Sequence, residues 1–207
     1  ANVEEGLRLR FDLGTNRHMS RKILLHGYLA YGFGDKKLKG KADALWLINK
    51  NPRNTIFASF TKDFDRSQSY YDEISQDNIF ALAIRKSSIP IKFLLVEEQK
   101  LEFFHEWHNG FSVTLTGLRK QFDPVRNLPS ADIFFFFSGE PLNTMETSVR
   151  FRFAYLEKFL ESTFYRSSVG SPYPITELKF TKGFSGILNS SYDYTKVTGG
   201  ISDHIKI

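Results

Sequence analysis

At 207 residues, 41% apolar and 25% charged, the chain is long enough for one domain and too apolar to be disordered by default. No run of about 18 apolar residues occurs, which excludes a transmembrane helix but not a membrane barrel, whose strands are only half apolar. The lack of cysteine removes disulfides, thiolate metal sites and Cys nucleophiles, and the net charge of +5 is spread along the chain rather than clustered as in a nucleic-acid binder.

The first element predicted is a strand over residues 5–14. Leu7, Leu9, Phe11 and Leu13 alternate with Arg8, Arg10, Asp12 and Gly14. Successive strand side chains point to opposite faces, so one face is apolar and the other ionic. A turn at 15–17 leads to strand 2 (22–33), and Gly34, Asp35 and Lys36 form a tight polar turn. In strand 3 (37–48), Leu38, Ala42, Ala44, Trp46 and Ile48 oppose Lys37, Lys39, Lys41 and Asp43. A loop containing Pro52 precedes strand 4 (55–64). Residues 77–86 look locally helical, with Ile79, Leu82 and Ala83 at helical spacing.

Strand 5 starts near Ile91 and is clear over 98–107. His108, Asn109 and Gly110 then form a hairpin turn into strand 6 (111–120). Residues 123–143 hold Pro124, Pro129 and Pro141 and read as a long connection. Inside it, Phe134, Phe135, Phe136 and Phe137 suggest a contact with a partner or with lipid, or a strand packed within a folded cap. Strand 7 (146–156) again alternates, with Val149, Phe151 and Phe153 against Arg150 and Arg152. Strands 8 (175–184) and 9 (192–207) complete the reading.

Charges on a sheet face need water or partners, so recurring two-faced segments suit lipid outside and water inside. The fold expected is all-β: an antiparallel transmembrane β-barrel, incomplete in this chain, with long partly ordered loops at about 65–97 and 123–143. About nine strands is an odd total for a bacterial outer-membrane barrel. The alternation of Ile201, Ile205 and Ile207 runs to the last residue, so one partial barrel domain over 1–207 is expected. Residues 1–6 carry Glu4 and Glu5 rather than a signal peptide, so an outer-membrane reading expects a processed chain or a fragment.

The segments EGLRLRFDLGTN (5–16), GYLAYGFGDKKLKG (27–40), SPYPITELKFTKG (171–183) and YDYTKV (192–197) come in one ordered series. Together they resemble an uncharacterised family of large Bacteroidota envelope proteins. Its members join carboxypeptidase-regulatory-like and POTRA-like material to an outer-membrane barrel similar to the surface-antigen superfamily of BamA- and TamA-type assembly proteins. The resemblance implies a barrel of about sixteen strands. It makes strand 1, with Leu7, Leu9, Phe11 and Leu13, the seam edge that pairs with a client strand. It also implies work in envelope assembly, insertion or transport at the outer membrane of a Gram-negative bacterium.

Arg8, Arg10, Lys39, Lys41, Arg150 and Arg152 share the ionic face and are expected to line a lumen, as an anion path or paired with acids. Glu98, Glu102 and Glu106 share a strand face with Lys100 and read as a wall of cross-strand ion pairs rather than acid–base machinery. His105 and His108 around Trp107 read as an interfacial girdle rather than a metal site. No Gly-x-Ser-x-Gly elbow or phosphate loop is present, so no enzyme activity, catalytic residue, metal or cofactor is expected. The partners expected are outer-membrane lipid, lipopolysaccharide and other envelope proteins. Nucleic acid is disfavoured because aromatics and bases occupy opposite faces. A scaffold subunit using the Phe134–Phe137 run is the alternative, and a soluble lipid-binding barrel the third reading.

Overall fold

A computed structural model of the chain describes residues 5–66, 93–126, 143–190 and 192–203. The alternating segments form β1 (Arg8–Gly14), β2 (Ile23–Gly32), β3 (Leu38–Asn49), β4 (Asn54–Arg66), β5 (Phe93–Glu106), β6 (Phe111–Arg126) and β7 (Asn143–Phe153). After a short hairpin of β8 (Lys158–Glu161) and β9 (Arg166–Gly170) come β10 (Ile175–Gly183) and β11 (Tyr194–Ser202). Nine of these make one antiparallel sheet in the order β1-β2-β3-β4-β5-β6-β7-β10-β11, and β8 pairs with β9 alone. No helix occurs among the described residues. The sheet is open, with β1 and β11 as its edges, so the expected all-β meander is present while closure into a barrel is not seen.

Two boundaries differ from expectation. The connections placed at 65–97 and 123–143 are shorter, because β4 and β5 pair out to Arg66 and Phe93, and β6 continues to Arg126 before β7 opens at Asn143. Pro124 does not end β6 because the register shifts beside it: Phe93 faces Arg126 and Leu94 faces Pro124. A bulge accepts a residue without an N–H. The β8–β9 hairpin was not expected, since its four- and five-residue strands are too short to show a period. Residues 77–86 and Phe134–Phe137 lie outside the described residues.

Two turns follow their composition. Gly110 has φ +82° and an added Cβ there would sit 2.4 Å from the Ala154 carbonyl oxygen, so only glycine fits the β5–β6 turn. Between β2 and β3 the Gly32 N–H donates to the Lys37 carbonyl at 3.2 Å, closing the polar turn.

Burial runs opposite to that of a water-soluble sheet. On one face Leu13 is 78% and Phe11 71% exposed, while on the other Lys39 is 2% and Thr114 5% exposed. The ionic face is the concave one. Arg8 on β1 donates to Asp63 on β4 at 3.1 and 2.6 Å. In a flat sheet three strand spacings separate them by roughly 14 Å, more than these two side chains bridge, so the strands curl toward each other over this face.

Candidate functional site

The two rims of the sheet differ. The first rim holds the start of β1 and the β2–β3 turn. The second holds the β1–β2, β3–β4 and β5–β6 turns and the β7–β10 connection with its hairpin.

At the first rim the concave face carries a closed network of charges. Lys39 Nζ donates to Glu5 Oε1 at 2.6 Å and to Asp35 Oδ2 at 2.5 Å, and lies 4.3 Å from the Phe64 ring centroid. Arg8 bridges Glu5, at 3.2 Å, to Asp63, and the Tyr28 hydroxyl donates to Asp63 at 2.5 Å. Strand alternation brings Arg8, Tyr28, Lys39 and Asp63 to one face, and cross-strand neighbours there are small. An added Cβ on Gly32 would lie 2.2 Å from Asp35 Oδ1, and Ala30 is 2% exposed. This packing leaves room for Lys39 to lie flat across β2. The network also fastens the chain entering β1, since the Gly34 and Phe33 N–H groups donate to the carbonyls of Glu5 and Leu7 at 2.7 and 2.9 Å.

Further along the concave face the bases continue to meet acids. Arg10 pairs with Asp12 at 2.5 Å, Lys41 with Asp43 at 3.0 Å, Lys120 with Glu98 at 2.9 Å and Lys100 with Glu102 at 2.9 Å. Arg152 clamps Glu157 at 2.6 and 2.7 Å and also reaches Glu177 at 3.0 Å. Arg150 faces Thr114 and Lys179 on the same surface. Arg8, Arg10, Lys39, Lys41 and Arg152 therefore sit in ion pairs, which describes a charge-neutralised wall more than a bare cationic path.

The second rim is built by a part of the chain that the alternation did not reveal. The β8–β9 hairpin folds over the concave face, and Phe164, 5% exposed, joins Leu24, Leu45, Phe57 and Phe104 around a cavity of about 420 Å³. Arg53 donates through Nη2 to the Phe164 carbonyl. Burial lowers the pKa of its guanidinium, and the neighbouring Arg166 adds to the effect. Arg166 forks onto Glu106 with two bonds of 2.7 Å and stacks over Phe159 at 3.9 Å. Burial pushes the Glu157 carboxyl up, but hydrogen bonds from Arg152 and Ser168 outweigh it and hold the group below the ordinary carboxylate range. A sequence signal for this contact existed. Ala44, Leu45, Trp46, Leu47 and Ile48 form an unbroken apolar run, so that Leu45 and Leu47 break the polar pattern of the concave face where the hairpin lies.

The convex face presents Leu7 just before β1 and Leu9, Phe11 and Leu13 on it, all exposed, followed by apolar residues of the later strands of the nine-stranded sheet. At the second rim it carries an aromatic ladder. His105 meets Trp107 edge-on at 4.1 Å, Trp107 lies 5.4 Å from Phe111, and Phe153, Tyr155 and Tyr173 continue the row at 6.4 and 5.3 Å. His105 Nδ1 pairs with Asn54 Oδ1 at 2.5 Å. No cluster able to hold a metal ion occurs among the described residues. Toward the first rim the convex face turns polar at Lys62, Glu97, Gln99 and Arg119, where Lys62 and Glu97 pair at 3.3 Å.

No curated protein and no solved structure matches the chain. Residues 2–207 match the C-terminal domain of a family of unknown function (DUF5686), the uncharacterised family to which this chain belongs.

Proposed function

We propose that the chain is part of an outer-membrane β-barrel of a Gram-negative, Bacteroidota-like envelope protein that acts without enzymatic chemistry in assembly, insertion or transport. One observation carries the reading: the inverted burial of the sheet. Its large apolar side chains are exposed and continuous on the convex face, while its lysines, threonines and carboxylates are shielded and paired on the concave face. In water this arrangement forfeits the hydrophobic term; in a bilayer it satisfies it.

The dimensions agree. On β6 the convex side chains are Phe111, Val113, Leu115 and Gly117 before the polar boundary at Arg119. Eight residue steps make about 27 Å along a strand, or about 21 Å at a tilt of about 40°, close to the apolar band of outer-membrane barrels. The aromatic ladder stands where an interfacial girdle belongs.

An edge strand offers unpaired backbone groups to an incoming strand. β1 is such an edge, and its opposite side is held to β2 through seven paired residues, so opening at a seam would separate β1 from the strand that closes the barrel rather than from β2. Resemblance to the surface-antigen barrels supports a client strand at this edge. Crosslinking Leu9→Cys or Phe11→Cys to the closing strand is expected to abolish assembly activity, and survival of that activity would remove the seam mechanism. The barrel reading has its own test. Unboiled and boiled samples of a purified outer-membrane fraction should migrate differently on an SDS gel, whereas a soluble protein with no shift would leave the lipid-binding soluble barrel.

A further inference from the structure

We infer that a groove at the second rim binds the phosphate of an anionic lipid headgroup; the inference rests on the barrel reading. Arg17, His18, Arg21 and Lys22 of the β1–β2 turn, Lys50 after β3 and Thr163 of the hairpin line a groove of about 700 Å³, which Leu47 and Ile48 also border. Lys50 pairs with Glu161 at 3.2 Å, whereas Arg17, Arg21 and Lys22 meet no acid among the described residues. Many bases on the strands are matched locally, among them Arg8, Lys41, Lys100 and Lys120 on the concave face and, at the convex boundary of the first rim, Lys62 with Glu97 and Lys182 with Asp193. A set of like charges gathered without counter-charge is costly until an anion enters.

The turn that carries these charges is held in shape. Asn16 Oδ1 accepts the N–H groups of His18 and Met19 at 3.0 and 3.3 Å. Ser20 Oγ accepts those of Lys22 and Ile23 at 3.2 and 3.0 Å. Thr15 ties both its N–H and its hydroxyl to the Leu25 carbonyl. Such a turn presents its cations with little ordering cost on binding.

The apolar surroundings decide between a free anion and a lipid. Met19 in the turn is 75% exposed, and Leu13, Ile23, Trp46 and Ile48 bring the exposed convex face to the same rim, with Ile23 and Trp46 directly opposed. A free phosphate gains nothing from them. An amphiphile places its headgroup among the bases and its chains along the apolar band.

Phosphatidylglycerol and phosphatidylcholine are each titrated onto the intact protein in a non-ionic detergent, with retained lipid read by native mass spectrometry and heat-modifiability run alongside. Preferential retention of phosphatidylglycerol is expected, falling about fivefold per charge removed in Arg17→Gln/Arg21→Gln/Lys22→Gln and preserved in Arg17→Lys/Arg21→Lys. Should the triple variant lose its mobility shift, Arg17→Gln alone, an exposed turn substitution, reports the single fivefold step. Equal retention of both lipids by protein that still shifts on the gel overturns the site, as does unchanged retention in a shifting variant. Displacement of phosphatidylglycerol by an equal concentration of inorganic phosphate overturns the lipid assignment. Absence of a shift in the unaltered protein fails the barrel reading itself, and the site with it.

Discussion

The first-rim network and the second-rim hairpin cover the same concave face by different physics. At the first rim, Glu5, Arg8, Asp35, Lys39 and Asp63 come from the leading segment, three strands and one tight turn, and what fills the space is charge matched to charge. At the second rim a separate hairpin is laid on the sheet, anchored by Phe164 among apolar side chains and edged by the Arg166–Glu106 and Arg152–Glu157 pairs. A buried ion pair resists the loss of one partner more than it contributes as a whole. An apolar anchor contributes in proportion to the area it covers. The first rim is therefore part of the sheet, whereas the second is a separate cover laid on it.

The largest effect is expected from Lys39→Met. It leaves Asp35 and one side of Glu5 without their cation in a site from which water is excluded, a cost of about 3–5 kcal/mol. Because the network holds β1 to β2, β3 and β4, the loss should appear as a lower urea midpoint for the whole sheet. A variant with an unchanged midpoint would show that the network is solvated and the first rim is not a rigid unit.

Phe164→Ala is next, at about 3 kcal/mol for a buried aromatic side chain. Here the cost falls on the cover. Limited proteolysis should cut between residues 158 and 170 while the sheet keeps its urea midpoint. Global unfolding in step with hairpin cleavage would erase the distinction between the rims.

The smallest effect is one of pH. The Glu157 carboxyl is held below its ordinary value, so the stability it lends is complete above the unfolded-state pKa of about 4.3 and is lost as pH falls through the lower folded value. Proteolysis of the hairpin should therefore rise in that acidic window, and Glu157→Gln should flatten the response while weakening the cover at neutral pH. An acid-insensitive hairpin would assign its hold to Phe164 and Arg166 alone.

Much of the fold was legible because a strand's period is local. Leu7, Leu9, Phe11 and Leu13 against Arg8, Arg10 and Asp12 identify two faces without any knowledge of a neighbour. The same parity placed Lys39, Lys41, Arg150 and Arg152 on one side, and Asn109-Gly110 announced its turn. The candidate site was less legible. Nothing in the spacing of Arg8 and Asp63, 55 residues apart, says that they meet, and Glu5 was read as part of a strand rather than as the partner of Lys39. Leu45 and Leu47 put apolar side chains on the concave side of β3, yet the segment that covers that side is a hairpin too short to carry a period of its own.

By itself the sequence determined the class, the nine strands of the main sheet and the division of side chains between an apolar and an ionic face, because backbone geometry alternates them whatever lies beside the strand. Tertiary structure alone decided the curl of the sheet, the identity of each ion pair, the bulge that keeps Pro124 in a strand and the docking of β8–β9. These depend on pairings across strands and across the concave face, where distance is set by register and curvature rather than by separation along the chain.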